Sequence, residues 1–142
     1  MTRPIIRPFH TNDTEAVVEL WQTCGLTRPW NNPRKDIERK LSVQPELFLV
    51  GLSGNQVIAS AMAGYDGHRG SVYYLAVDPH HQRIGIGSEI MRHIERLLTD
   101  LGCPKINLQI RSSNLDVKAF YENQNYQMDD VISLGKRLIE DE

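Results

Sequence analysis

The sequence is short of the features that define several broad protein classes. Its two cysteines, Cys24 and Cys103, are too few for a disulfide framework. They are expected as small buried apolar residues in a reducing, cytoplasmic protein. The five histidines (His10, His68, His80, His81 and His93) and the two cysteines show no zinc-like spacing, so no metal is expected. No apolar run approaches the roughly 20 residues needed to cross a bilayer. The opening residues MTRPIIRPFH lack the apolar core of a secretory signal. Neither sign of charge dominates: 16 Lys and Arg face 18 Asp and Glu, a formal net charge of −2. A nucleic-acid partner, which usually demands a strongly basic domain, is therefore not expected, and neither is a membrane. Repeats, low-complexity tracts and Pro/Gly/Ser linkers are also missing. The 142 residues, 40% of them apolar, read as one continuous domain spanning 1–142.

What is present is a clear alternation of periods. Ile5 to Pro8 reads as a short strand. Asn12, with Glu15 three residues on, offers a start for a helix whose apolar positions are Ala16, Val17, Leu20, Trp21 and Cys24. Gly25 ends it. Asn32–Pro33 starts a second helix, with a narrow stripe at Ile37 and Leu41. Leu47–Leu52, Gln56–Tyr65 and Ser71–Val77 are three strands. They are joined by Ser53–Gly54–Asn55 and by Asp66–Gly67, which predicts an antiparallel meander. Ile86, Ile90, Met91, Ile94, Leu97, Leu98 and Leu101 then share one face of a long helix that Gly102 and Pro104 terminate. Lys105–Ile110 follows as a strand, paired in parallel with Ser71–Val77 through a crossover. Asn114–Asn123 is a shorter helix, and Tyr126–Met128 and Val131–Leu138 are two closing strands. The expected architecture is an α/β fold of the mixed α+β type, an antiparallel meander continued by a central β-α-β crossover.

The segment with the most chemical content joins the third strand to the long helix: Leu75-Ala76-Val77-Asp78-Pro79-His80-His81-Gln82-Arg83-Ile84-Gly85-Ile86-Gly87-Ser88. The first turn of a helix presents backbone N–H groups without intrahelical partners and the positive end of the helix dipole. Both favour an anion. Gly85 and Gly87 clear side chains from that turn, which suits a wrapped diphosphate but equally suits a tight structural turn. A dinucleotide fingerprint would need glycine where Ile90 stands, and a P-loop would need a G-K-S/T that the chain does not contain.

Gln82-x-x-Gly85-x-Gly87 between a strand and an amphipathic helix resembles the acetyl-CoA signature of the GNAT N-acetyltransferase superfamily. Asn114, Ala119, Tyr121, Glu122 and Tyr126 resemble that family's later motif, one strand further on. The pair is specific where either alone is weak, and the order of predicted elements is also the family's. Residues 28–33, 65–70 and 134–142 are similar to the bacterial YpeA-type subgroup. One departure is Asn125, where the family usually has glycine before the last aromatic. Asn is the next most tolerant residue of a left-handed cap.

The resemblance implies an acetyl-CoA-dependent N-acetyltransferase with a GNAT-like fold. In that fold the strands ending at Val77 and Ile110 splay apart. The pantetheine arm pairs with the backbone of Leu75, Ala76 and Val77, and the amide of Ala76 holds the thioester oxygen. Gln82 of the signature belongs to the cofactor-binding set, the diphosphate lies on the amides of Arg83, Ile84, Gly85, Ile86, Gly87 and Ser88, Asn114 bonds the cosubstrate arm, and Tyr121 is the acid that meets the departing thiolate. The implied partners are acetyl-CoA and an amine, either a small molecule or a protein N-terminus. A homodimer is compatible with the sequence, which does not fix the oligomeric state.

The general base is not legible. Where relatives carry a glutamate, this chain has Ser71 or Gln109, and neither accepts a proton at neutral pH. Asp66 and His68, on the meander turn, and water relayed to Tyr73 or Tyr74 are the remaining candidates. Arg28, Trp30 and Asn31 fall where the family walls the acceptor site, although Trp30 equally reads as a packing residue. A non-catalytic acyl-CoA sensor is the alternative in another class, since fold does not guarantee chemistry.

Overall fold

The computed structural model describes residues 4–82 and 84–141. They divide into two compact units. One runs to Asn107 and includes Asp141; the other spans Leu108–Glu140.

The first unit holds a five-stranded sheet in chain order: β1 (Ile5–Pro8), β2 (Phe48–Ser53), β3 (Gln56–Tyr65), β4 (Gly70–Val77) and β5 (Ile106–Asn107). The first three pairings are antiparallel, and β4 and β5 are parallel, as the meander and crossover readings predict. Three helices accompany the sheet: α1 (Thr14–Thr23), α2 (Pro33–Leu41) and the crossover helix α3 (Ile86–Asp100). The expected helix start at Asn12 is replaced by a single 3-10 turn over Thr11–Asp13. The acid that closes on it is Asp13, not Glu15. Asp13 accepts from the His10 amide at 2.9 Å and pairs with Arg7 at 2.7 Å. At α2 the prediction holds: Asn32 Oδ1 accepts from the amides of Arg34 and Lys35, with Pro33 in the first position.

The sheet is covered on both faces, which is why β2 is buried at five consecutive residues, Phe48 to Leu52. Alternate side chains serve alternate layers. Phe48, Val50 and Leu52 join Val17, Val18, Leu20 and Trp21 of α1, together with Ile37 of α2, Met62 of β3 and Ala76 of β4. Phe9 and Phe48 stack at 4.3 Å, and Trp21 lies 6.3 Å from Phe48. On the other face α3 buries Ile86, Ile90, Met91, Ile94 and Leu98. Its approach is close at Gly70, where a Cβ would stand 2.9 Å from both Leu98 Cδ1 and Cys103 Sγ. No other residue type fits there without displacement.

Two expectations fail. Cys24 and Cys103 are half-buried rather than buried, and their thiols donate to the carbonyls of Val77 and Lys105. The second unit contains α4 (Leu115–Glu122), while no strand forms from Leu108 to Asp141 among the described residues. The predicted strands Tyr126–Met128 and Val131–Leu138 are irregular chain, and β5 stops at Asn107 instead of Ile110. Val131, Ile132, Leu134 and Leu138 have the composition of a strand, yet each is more than three-quarters exposed. Strand propensity expresses packing against a partner, and a lone hairpin is marginal in water.

Candidate functional site

The site is built around an irregularity in β4. Ser60 pairs with Ala76 and Met62 pairs with Tyr73, so two residues of β4, Tyr74 and Leu75, oppose the single Ala61 of β3. This is a β-bulge, and Tyr74 absorbs it with φ +54. That left-handed conformation is uncommon for an aromatic residue and needs surrounding contacts to persist. Three contacts hold Tyr74, and a fourth bond ties two of its partners together. Tyr74 stacks on Trp21 at 3.8 Å with rings 12° from parallel. Its carbonyl accepts from Ser60 Oγ at 2.9 Å. Ser60 Oγ in turn accepts from Trp21 Nε1 at 2.9 Å. The Tyr74 hydroxyl donates to Asp36 Oδ2 on α2 at 2.6 Å. Trp21 and Ser60 are fully buried.

Beyond the bulge come Leu75, Ala76 and Val77. The ladder from β4 to β5 is registered at Gly70↔Ile106 and Ser71↔Asn107 and extends no further among the described residues. Val77 is thus reached with β3 as its strand partner, through Ala59. The Val77 carbonyl already accepts from Gln82 Nε2 at 3.2 Å and Cys24 Sγ at 3.3 Å. The Val77 carbonyl thus has two side-chain donors in this structure. Asp78 then caps a short turn over Pro79–His81 by accepting from the His80 amide at 2.8 Å. His80 is exposed, whereas His81 is half-buried with Nδ1 3.6 Å from Asp78 Oδ1.

The turn leads into α3. Gly85 has φ +87 and stands at the N-cap with no side chain to fill that role. A Cβ there would meet nothing, so glycine is required by conformation rather than by crowding. The first helical bond is Glu89 N to Gly85 O at 3.0 Å; the amides of Ile86, Gly87 and Ser88 precede it. Ile84 and Gly85 are exposed, and Ile86 and Gly87 are buried. Arg83 lies outside the described residues. Of the predicted cosubstrate residues, Leu75, Ala76, Val77, Gln82 and Ile84 to Ser88 therefore fall on one strand–turn–helix path in the first unit.

In the second unit, Asn114 Oδ1 accepts from the Val117 amide at 3.3 Å and caps α4. Tyr121 is buried, with edge-on contacts to Phe120 at 5.1 Å and Tyr126 at 5.5 Å. Asn125 adopts φ +70, the conformation expected of the glycine it replaces, and the Tyr126 amide returns to the Tyr121 carbonyl at 3.1 Å. Burial pushes the Tyr121 hydroxyl up to about 12.

The candidate bases fare differently. Asp66 accepts from the amides of His68 and Arg69, both at 2.8 Å, and these bonds hold its carboxyl below the usual range. It is a turn residue and a poor proton acceptor. His68 and Tyr73 are exposed. Gln109 donates to Ser133 at 2.6 Å. Arg28 donates to the carbonyls of Gly25 and Thr27, which ties down the loop after α1, and Trp30 is half exposed. The sequence reading missed Asp36 and Ser60. Ser60 carried one signal: a hydroxyl amid the apolar Ala59-Ser60-Ala61-Met62 of a strand must find a partner.

Comparison with known proteins gives a consistent picture. A profile described as Acetyltransferase (GNAT) family matches residues 11–126. An acetyltransferase of Pectobacterium atrosepticum is 50% identical over 136 residues, covering 96% of each chain. The ribosomal-protein-S18-alanine N-acetyltransferase of Escherichia coli superposes with a TM-score of 0.72 at 24% identity, over 86% of this chain and 76% of that one. The PaiA N-acetyltransferase of Thermoplasma acidophilum, solved with coenzyme A, superposes with a TM-score of 0.81 at 15% identity, over 92% and 94%.

Proposed function

Since the chain belongs to the GNAT family of acetyltransferases, we propose that it transfers the acetyl group of acetyl-CoA to a primary amine by direct attack in a ternary complex. The observation that carries this reading is the path from the bulge at Tyr74, along a strand end that β5 does not accompany, into the glycine-opened start of α3. A strand end of this kind can be extended by an amide-bearing ligand, as an added strand would extend it. The pantetheine arm pairs along the exposed backbone groups of Leu75 to Val77, where the Gln82 side chain on the Val77 carbonyl gives way to it. The diphosphate rests on the amides of residues 83–88, where the helix dipole favours its charge. Asn114 contacts the cosubstrate arm.

The neutral amine attacks the acetyl carbon, and the carbonyl oxygen becomes an oxyanion stabilised by the Ala76 amide. Collapse breaks the C–S bond and releases the thiolate of coenzyme A, while the amine nitrogen loses a proton to water. Tyr121 takes its role from the motif that contains it. At about 12 its hydroxyl lies well above a thiol near 8.5. It therefore donates a strong hydrogen bond to the thiolate rather than surrendering its proton. This refines the expectation of a general acid.

The candidate base positions Ser71 and Gln109 hold no carboxylate, and Asp66 is committed to its turn. Such an enzyme favours acceptors that are already deprotonated. An α-amine with pKa near 8 is about one-tenth free base at pH 7, whereas a lysine near 10.4 is below about one-thousandth. A protein N-terminus or a small amine of low pKa is the acceptor class that follows.

Release of coenzyme A thiol across a panel of amines tests the proposal. Turnover should rise as acceptor pKa falls towards 8, with no enzyme ionisation between about pH 6 and 8. Tight coenzyme A binding without turnover on any amine would make the chain a sensor. Failure to bind coenzyme A at millimolar concentration would overturn the reading altogether.

A further inference from the structure

We infer that Lys40, Gln44 and Ser71 form a subsite for a carboxylate carried by the acceptor at some distance from its reacting amine; this deepens the acetyl-transfer reading above and rests on it. The three residues come from α2, from the chain just after it and from β4. They converge on Gly64 of β3. Gln44 Oε1, Lys40 Nζ and Ser71 Oγ stand 3.5, 3.6 and 3.8 Å from the point that a Cβ at Gly64 would occupy. All four residues are half-buried, so the bay is reachable yet partly shielded from water.

The bay is rich in unused donors. The Lys40 ammonium has three N–H groups and gives one to the Ala63 carbonyl. Gln44 holds a left-handed φ of +53, and its Oε1 accepts from the Tyr65 amide at 2.9 Å. Its NH2 group is left as a donor, as is the Ser71 hydroxyl. The other cations of α2 differ. Arg34 is paired with Glu15 at 2.6 Å, and Arg39 with Asp36 at 3.1 Å and Asp141 at 2.6 Å. Lys40 forms no ion pair among the described residues. Burial holds its ammonium below the ordinary lysine range, and Glu46 offsets this only in part. A carboxylate in the bay would supply the missing counter-charge with charge-assisted hydrogen bonds.

The topology assigns this anion to the acceptor. Gly64 pairs with Ser71 and follows Met62 by two residues, so the bay opens on the sheet face that α1 and α2 cover. The phosphates of the cosubstrate are proposed at the start of α3, on the opposite face. On α2, Asp36 lies one turn before Lys40 and reaches the Tyr74 hydroxyl, so one helix face spans the bulge and the bay. The ladder sets the reach. Ser71 pairs with Gly64 and Ala76 with Ser60, four β3 residues apart, or roughly 13 Å. An extended peptide advances about 3.5 Å per residue, so the carboxylate lies about three residues from the amine.

Matched acceptors with the same α-amine test this. Triglycine is compared with its C-terminal amide. A glycine tetrapeptide amide with aspartate third is compared with the same peptide carrying asparagine. Wild type should favour the carboxylate member of at least one pair by about tenfold or more in kcat/KM, mainly through KM. Preference in the tetrapeptide pair alone assigns the carboxylate to a peptide side chain, and preference in the triglycine pair alone to a small acceptor's terminus; either supports the subsite. In Lys40→Gln, kcat/KM for the favoured acceptor should fall to about that for its neutral partner, and Lys40→Arg should restore most of the preference. Ser71→Ala should reduce the preference about threefold, and it decides the matter if Lys40→Gln does not fold. Turnover with no carboxylate preference in wild type, or a preference that survives in both Lys40→Gln and Ser71→Ala, would overturn the subsite and leave acetyl transfer standing. Equal losses on charged and neutral acceptors in Lys40→Gln would show a merely structural role and also overturn it. Absence of turnover on every amine would overturn the acetyl-transfer reading, and the subsite with it.

Discussion

The two units of the chain use similar apolar residues to opposite effect. In the first, Phe48 to Leu52 are buried by neighbours on both faces of the sheet, and the strand is regular. In the second, Val131, Ile132, Leu134 and Leu138 offer comparable β-forming side chains, yet they are exposed and the chain is irregular. The difference lies in what is available to cover them. A strand is half of an interaction, and the second unit supplies one eight-residue helix and a single buried aromatic, Tyr121. Stability is therefore expected to reside in the first unit.

The largest test of that contrast is Trp21→Ala. It removes a fully buried indole and leaves Ser60 Oγ and the Tyr74 ring without their partner. Denaturant unfolding should show a loss of about 3–5 kcal/mol. Next is Tyr121→Phe, which should spare stability but lower kcat about 100-fold, since it deletes the donor proposed for the thiolate. A drop in KM alone would contradict that role.

The same tyrosine gives a pH test with a definite sign. Its hydroxyl titrates higher folded, at about 12, than in an unfolded chain near 10. Its stabilising contribution is complete below pH 10 and is lost as pH rises towards 12. Thermal unfolding followed from pH 8 to 11 should thus weaken in wild type by a component that Tyr121→Phe lacks. A smaller effect is expected for Gly70→Ala, whose new methyl meets Leu98 Cδ1 and Cys103 Sγ at 2.9 Å: about 1–3 kcal/mol by overpacking. Smallest is Leu134→Ser in the second unit. At 92% exposure, its melting should change by less than about 0.5 kcal/mol, and a larger loss would show that the segment is covered in solution.

Much of the first unit was readable because its signals are local. Asn32–Pro33 caps a helix wherever it occurs, Gly102 with Pro104 stops one, and a seven-member apolar stripe from Ile86 to Leu101 has one face to bury. The glycine-opened turn before α3 and the left-handed Asn125 were legible for the same reason. The bulge at Tyr74 was not. Ser71–Val77 has the composition of a regular strand, and nothing within it announces an extra residue. The extra residue exists because Ser60 faces Ala76 while Met62 faces Tyr73, a mismatch between two strands. Asp36 carried no signal in the sequence because its partner lies 38 positions away.

The order of elements through α4, the start of α2 and the glycine-rich turn before α3 were determined by the sequence alone, because caps, turns and periodicity act over a few neighbouring residues. Which strands formed, where β5 left β4 and which side chains converged on Tyr74 were decided by the tertiary structure. Those outcomes depend on burial and on partners that meet only when distant segments pack, and no short stretch of chain encodes its own partner.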